Sequence, residues 1–600
     1  MKTIPRATIA AVVGVVLSRP IPAPASTSDL RTVFEQSGGK RTETYAETMA
    51  YADRLAGASR WIRVSSFGLS PEGRSLPLIV ADRHGRFSPT RAHEGDNVVV
   101  LIQAGIHSGE IDGKDAGLLL IRAMAVEQTL SALLDHATIL FVPIYNVDGH
   151  EQSSAYSRIN QNGPEIMGFR TTSTNLNLNR DYVKADAVET RAWLAMFNEW
   201  RPDVLIDCHV TDGADYQYVV TYSAEVWQSQ DPAVAAWTAS PFLDSLEPAM
   251  RESGFPLSPY CFFRRDNDPR SGIKAGPATP RFSTGYGAMR NRPALLIETH
   301  MFKDYATRVR GTYEMLRNSI AVIAEHRASL LAAIAQADAR TASAEFRARP
   351  LPVSFETSFT DSMMIDFLGF DYTEETSTVT GGKWVRFGST PKTFRIPYFG
   401  TATVLDSVAV PEAYIIPPQW TCVIDRLRAH GVRLSTLQHA TTLAVSSVRF
   451  SNPVWAATPF EGHHTVRYDI EDIDDTRIFP AGSVVVDMAQ PLAKVAVNLL
   501  EPAAPDALVR WGYLDAIFEQ KEYAESYVME ELLRKMLADD PGLGVAFEQA
   551  KADTAFARNP ERIRNWFYQH SLYSEPRLMV YPIGRIRDRA VLSALPLDSR

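Results

Sequence analysis

Histidine and glutamate side chains follow three apolar stretches of this 600-residue sequence. His107 and Glu110 lie three residues apart in a glycine-rich loop after the first stretch. His209 follows the second stretch and Glu298 follows the third. Open α/β sheets place ligands outside the carboxyl ends of their strands, so these groups would meet at one sheet edge if the three strands are neighbours.

Two imidazoles and one carboxylate form a ligand set that suits zinc and leaves one coordination position for water. Zinc in such a site lowers the pKa of water towards about 7 and polarises a carbonyl oxygen. Glu298 would then be the general base that takes the water proton and later gives it to a leaving amine. The H-x-x-E spacing of His107 and Glu110 is weak evidence by itself, because it also occurs by chance in other sequences. The alternatives are therefore that His209 is a hydrogen-bonded core histidine and that Glu298 is a salt-bridge partner.

The elements that would carry these groups form an α/β pattern between about residues 95 and 300. Runs that are apolar throughout alternate with helical stretches, which predicts a mixed, largely parallel sheet covered by helices on both faces. The predicted strands are 97–102, 138–143, 204–206 and 294–297, and the predicted helices are 115–126, 187–200 and 309–344.

The composition changes after residues 349–352, whose two prolines are typical of a linker. We therefore predict an α/β domain at residues 26–345 and an accessory α+β region at residues 350–600. The sequence leaves three roles open for the accessory region: substrate binding, gating of the cleft, and stabilisation. His463 and His464 within it are expected to be a solvated loop pair.

The first 25 residues have the features of a secretory signal peptide. Lys2 and Arg6 precede an apolar run, and Ala23 and Ala25 fit an A-x-A cleavage site. The run of about eleven residues is too short to span a bilayer, which takes about 20 apolar residues. We predict cleavage after Ala25 and export to the periplasm or to the outside of the cell.

The charge of the chain argues against two classes of partner. The sequence has 61 Lys and Arg, 70 Asp and Glu, and a formal net charge of −9. Removal of residues 1–25 takes away three basic residues and no acid, which leaves 58 basic and 70 acidic residues and a net charge of −12. We therefore expect no binding to nucleic acid or to an anionic membrane. No later stretch of the sequence reaches the length needed to span a bilayer, so we also expect no stable membrane insertion after signal cleavage. Three cysteines cannot form a disulfide framework.

Several segments, taken in chain order, resemble motifs of the M14-type zinc carboxypeptidases, the carboxypeptidase A-like family. The resemblance covers roughly residues 40–340. It implies the fold of that family, one zinc ion per chain, and hydrolysis of the C-terminal peptide bond. The segments are 107–110 for the H-x-x-E metal pair, 143–150 for the N-P-D-G strand end, 179–180 for the N-R pair, 207–209 for the third metal ligand, and 296–299 for the strand of the catalytic glutamate.

The resemblance also implies substrate-binding roles. Arg180, with Asn179 beside it, sits where the family binds the terminal carboxylate, which a guanidinium fork holds with two bonds. Arg170 resembles the family arginine that stabilises the oxyanion as the carbonyl becomes tetrahedral.

A mobile tyrosine that closes over the substrate is a further feature of the family. Tyr286 is the best candidate in this chain, because glycines on both sides would allow a loop to move. Tyr260 and Tyr305 are its rivals, since a single tyrosine is more often a packing residue.

The residue at position 177 departs from the family pattern. Asn177 stands where the family often has an aspartate that orients a metal-bound histidine. An amide oxygen can still accept a hydrogen bond from an imidazole, but it adds no negative charge. Asp207 is two residues before His209 and on the same side of a strand, so it would supply some of that charge or form an ion pair elsewhere.

The sequence therefore predicts an exported zinc metallocarboxypeptidase acting on peptides with a free C-terminal carboxylate. The alternative is a zinc amidase acting on cell-wall (murein) peptides or on acyl-amino acids. An inactive binding module would need a lost ligand or base, and none is lost. The preferred C-terminal side chain stays open, because Asp244, Asp266 and Asp268 are equally good candidates for an acid that would recognise a basic one.

Overall fold

A computed structural model describes residues 30–211 and 213–599, and the predicted signal peptide lies outside these residues. The strands are β1 (Ile62–Leu69), β2 (Ser75–Ala81), β3 (Val98–Ala104), β4 (Ala137–Val142), β5 (Val204–Thr211), β6 (Val220–Ala224), β7 (Leu257–Pro259), β8 (Ile273–Lys274), β9 (Ala294–His300), β10 (Pro350–Thr357), β11 (Met363–Thr376), β12 (Lys383–Phe399), β13 (Ala402–Ala409), β14 (Ala413–Ile416), β15 (Ser435–Leu437), β16 (Thr441–Trp455), β17 (Val466–Phe479), β18 (Val484–Asp487), β19 (Gly584–Ile586) and β20 (Leu597–Ser599).

The α-helices alternate with these strands in the first half of the chain and cluster near its end. They are α1 (Val33–Gln36), α2 (Tyr45–Ala58), α3 (Pro89–Ala92), α4 (Asp112–Ile121), α5 (Val147–Glu151), α6 (Val188–Trp200), α7 (Pro232–Trp237), α8 (Asp244–Glu252), α9 (Ser283–Met289), α10 (Tyr305–Glu325), α11 (Arg327–Ala342), α12 (Ala344–Arg347), α13 (Thr421–Ala429), α14 (Ala493–Leu500), α15 (Ser526–Asp539), α16 (Pro541–Ala550), α17 (Thr554–Ala557), α18 (Pro560–Gln569) and α19 (Arg589–Ser593).

The main sheet has eight strands in the order β1-β2-β4-β3-β5-β9-β6-β7. Its four central strands, β4, β3, β5 and β9, are parallel to one another. Antiparallel pairing begins where β2 joins β4 on one side and where β6 joins β9 on the other. The mixed, largely parallel sheet predicted from the sequence is confirmed.

Strand β3 shows why the central runs are apolar throughout. Val99 and Leu101 pack in the hydrophobic cluster on one face of the sheet, together with Trp193 of α6. Val98 and Val100 pack in a second cluster that takes in side chains of α2, α4 and α10. Because both faces are covered, most positions of the strand carry an apolar side chain, and the buried amide of Gln103 is hydrogen-bonded to Tyr182 and Trp193.

The helical stretch predicted at 309–344 is bent. Helices α10 and α11 meet at 77°. Among the described residues, no single helix is long and apolar enough to cross a membrane, whereas this bent pair meets those criteria of length and composition together. The segment expected to be a linker, 349–352, instead runs into strand β10.

The part of the chain after residue 350 packs closely against the first part. Its described residues form the pair β10-β13, the sheet β11-β12-β8, and a seven-stranded sheet in the order β17-β16-β19-β14-β18-β15-β20. Strand β8 comes from the first part and pairs with β12. One hydrophobic cluster joins Trp193 and Tyr286 with Val353 and Tyr414. The two parts therefore share a sheet and a core, and the boundary at 345–350 stays a prediction.

Candidate active site

The predicted metal ligands and Glu298 lie on, or in the loop directly after, three neighbouring parallel strands. Strand β5 lies between β3 and β9, and its register places His209 beside Glu298 of β9. Both strands continue past the ends predicted for them, so these two residues lie inside strands near the carboxyl edge. Their side chains are buried.

The loop after β3 brings the H-x-x-E pair to the same edge. Gly105 turns the chain with a φ of +67°, which glycine adopts without steric cost. The Glu110 N–H then donates to the His107 carbonyl at 2.8 Å, and this tight turn brings the two side chains together. His107 Nδ1 lies 3.1 Å from Glu110 Oε1.

The three predicted metal ligands converge in one buried cluster. One ligand atom from each of His107, Glu110 and His209 lies within 4.8 Å of the other two. His209 Nδ1 is 2.9 Å from Glu110 Oε2. A buried set of two imidazoles and one carboxylate fits the zinc ion that the sequence predicts.

Hydrogen bonds on the outer side fix the orientation of both rings. His107 Nε2 donates to Asn177 Oδ1 at 3.0 Å, and His209 Nε2 donates to Asp207 Oδ2 at 3.0 Å. Both Nδ1 atoms are thereby left facing Glu110. Such partners orient a metal-binding ring and set its tautomer. Of the two uses that the sequence leaves open for Asp207, the structure shows the bond to His209.

Burial and charge act in opposite directions at this centre. Burial lowers the pKa of His107 to about 4, which keeps the ring in the neutral form that binds a metal. Burial also disfavours a charge on His209, but Asp207 and Glu110 outweigh it and hold the pKa of that ring well above its usual value. A metal ion bound here would therefore displace a proton from His209.

Two arginines contact Glu110 from the loop that follows α5. Arg170 Nη1 is 3.3 Å from Glu110 Oε1, and its side chain is 41% exposed. Arg158 Nη2 donates to the same oxygen at 2.6 Å. Burial raises the pKa of Glu110, but His107 and Arg158 outweigh burial and hold that pKa well below its usual range. The sequence analysis missed Arg158, because no motif or spacing marks it.

Asn179 and Arg180 lie in a short 3₁₀ turn, Leu178–Arg180. The Arg180 guanidinium stacks over the Phe282 ring at 4.4 Å. Burial, followed by the nearby positive charge of Arg170, lowers the pKa of Arg180, although an arginine remains charged at neutral pH. Two guanidinium groups close together favour an anionic ligand between them.

Asn179 is one of the residues that line a cleft of about 620 Å³. Lys274 and Glu356 are its charged lining residues. In the described part of the chain, none of the acids considered for a basic side chain (Asp244, Asp266 and Asp268) lines it. Its apolar lining includes Trp227, Leu243, Phe262, Phe282, Leu296 and Phe355.

Tyr286 is not among the residues lining this cleft. The segment expected to be a mobile loop is helix α9, so that expectation is wrong. Tyr286 is fully buried, and its hydroxyl accepts from Arg290 and lies 3.0 Å from His430 Nδ1. The flanking glycines serve close packing, since a Cβ on Gly285 would lie 2.3 Å from a backbone carbonyl oxygen. Tyr260, one of its rivals, lines the cleft.

Comparison with known protein families adds an independent finding. The sequence model of the zinc carboxypeptidases (Peptidase_M14) matches residues 48–254. The matched range contains the three ligands of the cluster and ends before Glu298.

Curated relatives match a larger part of the chain. Carboxypeptidase 2 of Trichophyton tonsurans is 22% identical over 515 residues, which is 82% of this chain and 88% of that protein. Carboxypeptidase 2 of Trichophyton rubrum is 22% identical over 510 residues, again 82% of this chain and 88% of the relative. Matches of this length must run past residue 345.

Among solved structures, carboxypeptidase A from Helicoverpa armigera is 16% identical. The match covers 47% of this chain and 74% of that one, with a TM-score of 0.34.

Removal of one ligand should release the metal. We expect Glu110→Gln to bind zinc at least about 100-fold more weakly than the wild-type chain, since even the loss of an outer partner of a ligand costs about 10- to 100-fold. Elemental analysis and titration against a chromogenic chelator measure this. His464→Ala, which removes an exposed histidine, is the control and should keep one zinc per chain. Equal zinc affinity in Glu110→Gln and the wild type would show that the cluster is not the metal site.

Proposed function

Because the chain belongs to the zinc carboxypeptidase family M14, we propose that its buried centre hydrolyses the C-terminal peptide bond of peptides with Glu298 as the general base. The observation that carries this proposal is the register of β5 and β9, which sets Glu298 beside His209 of the metal cluster. The negative charge of Glu298 acts on His209 and favours the protonated ring.

His107, Glu110 and His209 would hold the zinc ion, which would supply an activated water and polarise the scissile carbonyl. Glu298 would take a proton from the attacking water and deliver it to the leaving amine. Arg170 donates to the carbonyl oxygen as it gains negative charge. Asn179 and Arg180 hold the terminal carboxylate, and the guanidinium fork sets its orientation.

The cleft that Asn179 helps to line would receive the side chain of the C-terminal residue. Its walls are mostly aromatic and aliphatic, and its two charged residues, Lys274 and Glu356, have opposite signs. An apolar side chain such as phenylalanine suits such walls, because a charged one would lose its hydration without a dedicated partner. A peptide ending in phenylalanine is therefore the substrate of choice for the experiments below.

Replacement of the proposed base tests the mechanism. Glu298→Gln removes the proton acceptor but keeps the shape of the side chain, so we expect zinc to stay bound while kcat falls at least about 100-fold. Steady-state kinetics and elemental analysis on the same samples measure both quantities. Glu199→Gln, on the exposed surface of α6, should behave as the wild type. Near-normal turnover by Glu298→Gln would remove the residue from this role.

Replacement of Arg180 tests whether the enzyme requires a free C-terminus. Loss of charge-assisted bonds costs about 1.5–3 kcal/mol, so Arg180→Ala should raise KM for a free-acid peptide by roughly 10- to 100-fold. Cleavage of the matching C-terminal amide should change little. Arg180→Lys should be intermediate, because a lysine cannot form the fork. If Arg180→Ala left KM for the free acid unchanged, or if the wild type cleaved acid and amide equally well, the carboxylate role would be rejected and an amidase would be favoured.

Export is part of the proposal and is supported by the first 25 residues. Their basic start, apolar run and small residues at positions 23 and 25 suit cleavage by a signal peptidase. Expression of the full chain in a bacterial host should yield a protein outside the cytoplasm that begins at Ser26. N-terminal sequencing of each cell fraction measures this, and Ala25→Phe should block processing. A mature protein that retains Lys2 in the cytoplasm would contradict export.

A further inference from the structure

A tight turn in the C-terminal part of the chain lies against segment 177–180, which contains Asn177 and the Leu178–Arg180 turn. It joins the end of the long β16–β17 hairpin, where Phe460 N–H donates to the His463 carbonyl at 2.8 Å and His463 N–H donates back at 3.1 Å. Its two central residues, Glu461 and Gly462, have φ values of +50° and +81°. We refer to residues 460–463 as the hairpin turn.

The backbone at Glu461 is unusual for its residue type. A two-residue turn with positive φ at both positions favours Asn-Gly, because a longer side chain in the left-handed region is strained. Strain of this kind persists where the surrounding structure fixes the residue, and such positions cluster at functional sites. We therefore expect the side chain of Glu461 to make a specific contact that fixes this backbone conformation.

That contact is with the residue that orients a metal-binding histidine. Glu461 Oε2 accepts from the Asn177 N–H at 2.8 Å. The Asn177 side chain accepts from His107 Nε2 and from the Asn179 N–H, both at 3.0 Å. A single carboxylate thus holds a residue that touches both the metal cluster and the start of the Leu178–Arg180 turn.

The negative charge of Glu461 supports the same link to segment 177–180. Asn177 replaces the aspartate typical of this position, so the segment lacks one negative charge near the cluster. Glu461 lies close enough to Arg180 to favour its charged form, against burial and the repulsion of Arg170. The hairpin turn therefore supplies a carboxylate to a segment that carries only an amide.

Asp186, six residues after Arg180, is held by the same part of the chain. His463 Nε2 bonds Asp186 Oδ2 at 2.7 Å, and Arg426 Nη2 bonds Asp186 Oδ1 at 2.7 Å. The Tyr513 hydroxyl also donates to Asp186. The expectation that His463 is a solvated loop residue is wrong, because its ring is partly buried against this carboxylate.

We propose that the hairpin turn belongs to the active site, and that Glu461 is a positioning residue that holds segment 177–180 for both metal retention and carboxylate binding. This inference rests on the proposed function. It gives the region after residue 350 a role that differs from the three left open by the sequence, since that region would position residues of the substrate site.

An asparagine at position 461 separates fold from function. Glu461→Asn suits the left-handed backbone better, so the melting temperature should stay the same or rise. Its side chain is too short for the bond to Asn177, so we expect zinc to be lost about tenfold faster to a chelator and KM for the free-acid peptide to rise about tenfold. Glu461→Gln keeps an acceptor at the same reach and should fall between the wild type and Glu461→Asn in both quantities.

Glu471→Ala is the matched control, because Glu471 is exposed on β17 of the same hairpin. It should match the wild type in zinc release and KM. The inference is overturned if Glu461→Asn releases zinc and binds the free-acid peptide as the wild type does. It is also overturned if Glu461→Gln is no better than Glu461→Asn, since an acceptor at the right reach would then do nothing.

Zinc release is measured without substrate, so it separates this inference from the proposed function. A wild-type chain that holds zinc but cleaves no peptide would reject the carboxypeptidase proposal alone. The comparison of zinc release between Glu461→Asn and the wild type would still decide the role of Glu461.

Discussion

The buried carboxylate of Glu110 is the group on which the centre depends. Its Oε1 meets His107 and Arg158, and its Oε2 meets His209 Nδ1 and the Val210 N–H. Loss of one partner from a buried charge costs about 3–5 kcal/mol, which is a large share of the stability of most proteins. The loop after β3, strand β5 and the loop after α5 must therefore all be in place for Glu110 to keep its partners. The cluster and the packing of this part of the fold therefore depend on the same carboxylate.

Sequence reasoning predicted the features whose signal is local. Apolar runs marked the central strands, because both faces of the sheet are packed. The predicted ligands were inferred from the ends of those strands, since parallel neighbours share one carboxyl edge. Strands β5 and β9 nevertheless continue beyond their apolar runs. A polar residue such as His209 or Glu298 breaks the apolar pattern of the sequence, although the backbone hydrogen bonds of the strand continue. The apolar pattern alone therefore predicts the end of such a strand too early.

The features that sequence reasoning missed depend on distant partners. Glycines around Tyr286 are compatible with a mobile loop or with a closely packed helix, and only the neighbours decide between them. A Cβ on Gly287 would lie 2.7 Å from the Ala294 side chain, which favours the packed helix. Glu461 lies 284 residues from the backbone N–H that it binds. No spacing rule connects positions so far apart, because their contact depends on how the β16–β17 hairpin packs against the first part of the chain.

The irregular backbone between Asn177 and Asp186 explains why a contact from outside this segment, such as that of Glu461 with Asn177, would hold it in position. Apart from one short 3₁₀ turn, it is irregular, so it lacks the internal ladder of bonds that fixes a helix or strand. Residues that orient a substrate, the role proposed for Asn179 and Arg180, tolerate little displacement, and a misplacement of about 1 Å can cost about 100-fold in rate. The β16–β17 hairpin is a long paired ribbon and thus a firmer support than the segment itself. Under the proposed function, the precision of carboxylate binding would come from a part of the chain that contributes no group to the proposed chemistry.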